Sequence, residues 1–343
     1  MPGEPSSAAV EPRIVLELID AFRASKAMFA AVSLGIFDRL ETAPEDVAAL
    51  AQEKGCSPDS VEQLLNACVA LGLLVQDGDR YRNLPVASRY LVRTSPDTLA
   101  GYILYSERIL YPLWGHLEDA VRQGTNRWEQ TFHSKSSQFF GEVFSKEESK
   151  RDFLAGMHCM GRLSSPAVVA AIDLSRFTHL CDLGGATGHL AIEACLRYPT
   201  LRATLFDLPA VAPVARRYIE LAGLGDRIHV QEGDFFSSPF PEGDLFALGR
   251  ILHDWTEPKI NFLLEKIHQR LPAGGGLLIC ERILYPNKDG PLSANLQSLN
   301  MLVATEGKER TAAEYEALLA RAGFRNFQAR HTGRPLDAML AIK

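Results

Sequence analysis

One stretch restricts the fold more than any other: Leu180-Cys181-Asp182-Leu183-Gly184-Gly185-Ala186-Thr187-Gly188-His189-Leu190. An apolar strand runs into a glycine-rich turn, and an apolar helix over Leu190–Leu196 leaves it. Glycines at such a turn free the backbone dihedrals and let a ligand approach the main chain. The turn also presents the unpaired N–H groups of a helix N-terminus to that ligand. Taken alone, it is either a cofactor site or a tight structural turn.

From Ser175 onward, apolar runs and amphipathic runs alternate. Strands are predicted near His179–Leu183, Ala203–Leu208, Ile228–Glu232, Leu245–Leu252 and Gly276–Leu284. Helices lie between them, around Leu190–Arg197, Ala210–Leu221 and Lys259–Leu271. This order predicts an α/β fold, a doubly wound Rossmann-like sheet that is mostly parallel. Two helical stretches follow, Pro291–Ala304 and Ala312–Ala322. Segments Phe327–Gly333 and Leu336–Lys343 then read as a closing antiparallel hairpin.

Ligands of an open parallel sheet sit beyond the carboxyl ends of its strands. After the first strand the spacing is G-G-x-x-G (Gly184, Gly185, Gly188), a poor match to the G-x-G-x-x-G cradle of a dinucleotide. Asp207-Leu208-Pro209 follows the second strand, where a carboxylate either takes a ribose diol or caps the next helix. Gly233-Asp234-Phe235 follows the third; Asp234 can accept from an exocyclic amine while Phe235 packs on a base, or the segment is a plain turn. Together with Asp182, these sites describe a nucleoside with an amino-acid-sized tail, S-adenosylmethionine (SAM), rather than a dinucleotide.

The N-terminal part reads differently. Residues Met1–Pro12 form a disordered leader with no secretory pattern. Ile14–Ala30 has helical apolar spacing, Gly35–Asp38 is a helix-to-loop junction, and Pro44 opens a short helix through Ala51. Ser57–Ser60 starts a helix over Val61–Leu71, closed by Gly72, and Leu73–Val75 and Tyr81–Asn83 flank the turn Asp77-Gly78-Asp79 as a two-stranded wing. The pattern is a winged helix. A DNA-reading helix needs Arg, Lys, Asn or Gln facing the groove, yet Gly55–Asp79 holds no Lys or Arg. Its apolar face (Val61, Leu64, Leu65, Cys68, Val69) is expected to pack against another helix, within the chain or across a dimer. Residues 93–165 are helical and aromatic-rich, with loops at Gly124–Asn126 and Ser134–Ser137. The aromatics, Phe139, Phe140 and Phe144 among them, are core, or in part the lining of a pocket for a flat molecule.

The net charge of −6 argues against a nucleic-acid or anionic-membrane partner. The longest apolar run, Leu64–Val75, is too short to span a bilayer. Six cysteines without C-x-x-C spacing are expected to be reduced thiols of a cytoplasmic protein, with no metal site.

The fourth strand ends in Gly249-Arg250-Ile251-Leu252-His253-Asp254-Trp255. With Asp182–Gly188, Phe206–Pro209, Glu232–Phe236, Glu281, Ser298–Val303 and Gly307–Thr311, this chain resembles the small-molecule O-methyltransferases of the acetylserotonin and plant caffeate type, from about residue 12 to its end. The resemblance implies His253 as general base between the carboxylates Glu281 and Glu309. It implies Arg250 as a cofactor-binding residue, Asp254 and Asn300 as substrate contacts, and Met157 and Met301 as apolar walls for an aromatic acceptor. It also implies a homodimer formed through the N-terminal domain. The expected layout is the leader (1–12), a winged-helix-like dimerisation domain (13–100), a helical substrate-lining region (101–170) and the SAM-binding domain (171–343). The expected product is S-adenosylhomocysteine.

The chain departs from the acetylserotonin pattern in Ala304, where a substrate-contacting glutamine stands, and in Phe144 and Gly161, where a tyrosine and a tryptophan stand near the cofactor. Ala186 replaces a usual glycine, a change expected to be tolerated. Chemistry therefore transfers and acetylserotonin specificity does not. The expected reaction is methyl transfer from SAM to a hydroxyl of a phenol or indole, with His253 taking the proton. Two rivals are C- or N-methylation (or lost transfer) on the same fold, and a non-catalytic winged-helix regulator.

Overall fold

The computed structural model describes residues 11–133, 143 and 146–343. The leader up to residue 10, Ser134–Ser137, Phe139, Phe140 and Phe144 lie outside them. Packing divides the chain into two units, with the boundary between Glu107 and Arg108.

The first unit comprises α1 (Arg13–Ser33), α2 (Ile36–Thr42), β1 (Glu45–Asp46), α3 (Val47–Lys54), α4 (Pro58–Ala70), β2 (Leu74–Asp77), β3 (Arg80–Asn83), α5 (Pro85–Tyr90) and α6 (Ala100–Tyr105). Gly35 is left-handed at φ +70° and turns the chain straight into α2, where the sequence predicts a loop. Pro44 does not sit in a first helical turn. Asp46 caps α3 instead, its Oδ1 accepting from Ala49 N at 2.8 Å, while Glu45 and Asp46 pair with Tyr81 and Arg80. The wing is therefore a three-stranded sheet in the order β1-β3-β2. Val61, Leu65 and Cys68 of α4 are buried in this unit's own core with Phe37, Leu50 and Tyr81, so the within-chain reading of that face holds. Ile14, Leu18 and Phe22 of α1 are more than half exposed.

The second unit begins with short helices α7 (Tyr111–Trp114), α8 (Leu117–Gln123) and α9 (Trp128–Phe132), then the long α10 (Glu147–Ala171). There follow β4 (His179–Leu183), α11 (His189–Arg197), β5 (Arg202–Asp207), α12 (Ala212–Leu221), β6 (Ile228–Glu232), β7 (Leu245–Gly249), α13 (Glu257–Arg270) and β8 (Gly276–Glu281). The chain closes with β9 (Ile283–Leu284), α14 (Leu292–Ala304), β10 (Arg310–Thr311), α15 (Ala312–Arg321), β11 (Arg325–Arg330) and β12 (Asp337–Ile342). Among the described residues one sheet runs β11-β12-β8-β7-β4-β5-β6, with β12 antiparallel to both neighbours and the other pairs parallel. Apolar clusters cover both faces, centred on Leu180, Leu205 and Val169 on one side and on Phe206, Phe246 and Leu263 on the other.

Two predicted strands are too long. The apolar run after Leu245 leaves the sheet at Gly249, because Arg250 is left-handed (φ +58°) and Leu252–Asp254 wind into a 3-10 turn. The run from Gly276 breaks after Glu281, opposite Asp337, the first residue of its antiparallel partner β12; Ile283–Leu284 pair instead with Arg310–Thr311 in a separate parallel ribbon. No helix among the described residues is long and apolar enough to cross a membrane.

Candidate active site

The strand order puts the sequence-predicted residues in a row along the carboxyl edge: Asp234 after β6, Asp207 at the end of β5, the glycine turn after β4, Arg250–Asp254 after β7 and Glu281 at the end of β8. Neighbouring strands are about 4.8 Å apart, so this row spans about 19 Å. The order reverses between β4 and β7, which is where an open α/β sheet opens its crevice.

At the turn, Gly184 and Gly188 are left-handed (φ +69° and +81°). A Cβ on Gly184 would stand 2.6 Å from Ile251 Cδ1, and one on Gly185 2.7 Å from the Asp182 carboxyl. Ala186 is also left-handed, at φ +50°, so the residue that replaces glycine occupies a conformation that costs an L-residue roughly 1 kcal/mol. Asp207 holds this alanine in place: its Oδ2 accepts from Ala186 N at 2.8 Å and its Oδ1 from Leu208 N at 2.7 Å. It therefore ties the turn to β5 rather than capping α12. Burial pushes the Asp207 carboxyl up to about 6, against those two N–H groups. Burial, then Asp207 beside it, raises Asp182 to about 7, and Ala191 N–H opposes the shift.

On the next loop Gly233 makes room for the Phe206 ring, 2.4 Å from where its Cβ would be. Asp234 Oδ1 accepts from Phe236 N at 2.8 Å, so one oxygen serves a local turn. Phe235 meets Trp255 edge-on with centroids 6.3 Å apart. Lys266 Nζ donates to Phe235 O and Ser238 O at 2.8 and 2.7 Å, binding this loop to α13.

His253 lies on the 3-10 turn and is 4% exposed. Its Nδ1 is 2.7 Å from Glu309 Oε1 and 3.2 Å from Glu281 Oε2, and its Nε2 is 3.7 Å from Asp254 Oδ1. Glu281 Oε1 accepts from Ile251 N and Leu252 N, both at 2.9 Å, so one carboxylate builds the turn and faces the ring. Burial alone would lower the imidazole, but Glu281, Glu309 and Asp254 override it and push His253 up to about 10. Burial likewise lifts Glu281 to about 7 and Asp254 to about 6. The donor atoms of His253, Glu281 and Glu309 lie within 4.8 Å of one another. A metal there would have to displace the Nδ1–Glu309 hydrogen bond, so the arrangement fits an oriented imidazole better.

Sequence reasoning gave Gly307 no role of its own. A Cβ there would stand 2.2 Å from His253 O, and Glu306 N donates to Asp254 O at 3.1 Å. This contact lets the loop carrying Glu309 lie directly on the histidine turn. On α14, Asn300 Oδ1 accepts from Trp114 Nε1 at 2.9 Å, and Met301 beside it is buried. Trp128 Nε1 donates to Ala304 O at 2.7 Å and fixes the end of that helix. Met157 is half-buried on α10, one residue before His158.

A glycine turn with Asp207 and Asp234 on the next two strand ends, and a carboxylate-flanked histidine further along the edge, follow the pattern of a SAM-dependent methyltransferase. Residues 114–325 match the O-methyltransferase domain family, and residues 16–93 match the O-methyltransferase dimerisation domain. The chain belongs to this family and is a SAM-dependent O-methyltransferase, as its motifs indicate. It is 44% identical to acetylserotonin O-methyltransferase of Bos taurus over 96% of this chain and 97% of that one. It superposes on the crystal structure of human N-acetylserotonin methyltransferase in complex with SAM with a TM-score of 0.92, at 40% identity and 99% coverage of both chains. A second solved structure, PigF with SAH, gives 0.89 at 30% identity, covering 97% of this chain and 100% of that one.

Proposed function

We propose that this chain methylates a hydroxyl on a small indole or phenol. The observation that carries this reading is His253 held by Glu309 at 2.7 Å and Glu281 at 3.2 Å, at the strand end beyond the glycine turn.

SAM supplies an electrophilic sulfonium methyl, so the chain must bind it, align an oxygen and remove one proton. Asp182, Gly184, Gly185, Gly188, Asp207 and Leu208 receive the tail and ribose; Gly233, Asp234 and Phe235 receive the base; Arg250 adds positive charge beside the turn. Met157 and Met301 wall the acceptor, and Asp254 and Asn300 offer it polar contacts. A phenol titrates near ~10, so a base of ordinary imidazole strength would take its proton uphill. Glu281, Glu309 and Asp254 raise His253 to about 10, which makes transfer to the neutral ring nearly level and leaves only a small fraction of the ring neutral at pH 7. Base assistance of this kind contributes roughly 10²–10⁴-fold, and alignment adds more.

N-acetylated hydroxyindoles are the first acceptors to try, given the 44% identity to the bovine enzyme; Ala304 supports a tolerance different from that enzyme's. The exposed apolar residues of α1 and the dimerisation domain support a homodimer. The six free thiols support a reducing, cytoplasmic compartment. The test is product mass with isotopically labelled SAM across N-acetylserotonin, simple hydroxyindoles and phenols, for wild type and His253→Ala. Labelled O-methyl product lost in the variant supports the reading. Full turnover in the variant, or label on carbon or nitrogen, overturns it.

A further inference from the structure

Two histidines that this chemistry does not use flank the glycine turn. His158 on α10 shares a 2.9 Å hydrogen bond between Nδ1 and Thr187 Oγ1, and its ring stacks on Tyr218 with centroids 3.8 Å apart. His189, the first residue of α11, shares a 2.9 Å hydrogen bond between Nδ1 and Ser165 Oγ on α10. Thr187 and Ser165 are both buried. Each side thus sends one imidazole to a hydroxyl on the other.

Gly161 lies beneath the second of these links. A Cβ there would stand 2.2 Å from His189 Cδ2 and Cγ and 2.5 Å from Nδ1. What glycine supplies here is room for a ring. It does so at a cost, since glycine inside a helix is worth about 1 kcal/mol less than alanine. The same helix carries Pro166, which removes a backbone bond to residue 162. Ser164 Oγ donates back to Met160 O at 2.9 Å, a bond that weakens the regular ladder. α10 is locally weak where it meets the turn, and the imidazole links bridge that weak point. Burial first, then Arg162, holds His158 down to about 4. Burial first, then His158 and Arg250, holds His189 down to about 3. Both rings are therefore neutral, with one donor and one acceptor nitrogen each.

We propose that His189, seated against Gly161 and tied to Ser165, is a positioning residue that presets the cofactor turn, with His158–Thr187 as its counterpart on the other side. The proposal rests on the assignment of Asp182–Gly188 to SAM. His189 follows Gly188 directly, so a displacement of its ring that the buried site cannot absorb by rotation moves the last glycine and the first amides of α11. Small misplacements of such groups are costly to binding and to rate.

The test uses the full-length protein, with S-adenosylhomocysteine affinity by calorimetry and separate KM values for SAM and acceptor. Gly161→Ala is expected to weaken S-adenosylhomocysteine binding and raise KM for SAM at least tenfold, with the acceptor KM unchanged. His189→Ala does the same severalfold. His189→Asn, whose amide reaches the Nδ1 position, restores most of the loss. In Gly161→Ala/His189→Ala the loss is smaller than the sum of the two, because the clash is gone. Ser165→Ala removes the hydrogen bond and keeps the packing, so it stands in if Gly161→Ala does not fold, with a severalfold rise in KM for SAM. Affinity within twofold of wild type in the His189 and Ser165 variants, additive losses, or equal shifts of both KM values overturn the proposal. Asp207→Ala separates the two levels. If it too leaves affinity unmoved, the SAM assignment of the turn fails; if it alone weakens binding, only the positioning role fails.

Discussion

His253 Nδ1 lies 2.7 Å from Glu309 Oε1, although 56 residues separate them in the chain. Glu281 first, then Glu309 and Asp254, raise this imidazole against its burial, and the pH dependence should show it. At neutral pH the cluster holds one proton too many, so kcat/KM is expected to rise about tenfold per pH unit toward a limb near 10. Proton on the imidazole with phenolate bound, or neutral ring with phenol bound, are the same charge count, so one limb describes both. Glu309→Gln removes one of the carboxylates that lift the ring. Its limb should fall toward the free imidazole value near ~6.5, and its maximal rate by roughly 10²–10⁴-fold. An unmoved limb in a pH series of kcat/KM would remove Glu309 from this role.

Gly307→Ala should act on the same pair from behind. Its Cβ would meet His253 O at 2.2 Å, so the loop carrying Glu309 must lift. A displacement near 1 Å is expected to lower kcat about 10²-fold, with a stability loss of about 1–3 kcal/mol. Single-turnover rates at saturating SAM, together with a urea melt, check both figures.

Ala186→Gly should go the other way. At φ +50° the alanine is strained and glycine is not. The relief of steric strain exceeds the entropic cost of a freer unfolded chain, so a stabilisation of about 0.5 kcal/mol is expected. Thermal melting without cofactor reads it, and a lower Tm than wild type would contradict it.

Asp182 makes folding proton-linked. Its folded pKa of about 7 lies above the ordinary carboxylate value, so the folded state holds a proton the unfolded state has released. Stability from this group is present at acid pH and is lost as pH rises from about 4 to about 7. Asp182→Asn removes the linkage. The Tm difference between variant and wild type should widen across that window and flatten above it. A difference independent of pH would show Asp182 to be ionised throughout.

The sheet was legible because its strands are short apolar runs ended by residues the fold needs there, such as Asp182 before the glycines and Asp207 before Pro209. Ile251 and Leu252 misled because they are as apolar as a strand; they are buried on a 3-10 turn whose amides bind Glu281. The carboxylates around His253 come from separate elements, and spacing alone could not join them. Only the resemblance did. The His158 and His189 links had no local pattern, since their partners Thr187 and Ser165 stand 29 and 24 residues away. Asp46 was readable as a helix cap, yet Pro44 two residues earlier drew the prediction, and pairing with β3 took that segment into a strand.

Trp114 leaves Asn300 with one face to offer. An indole nitrogen can only donate, so it takes one of the two lone pairs on the Asn300 oxygen at 2.9 Å and thereby fixes which way the amide points. Any molecule that reaches Asn300 through this side chain meets a donor. A carbonyl, an ether oxygen or a pyridine-type nitrogen would be met by both hydrogens of the amino group, whereas a donor finds only the single lone pair that Trp114 leaves.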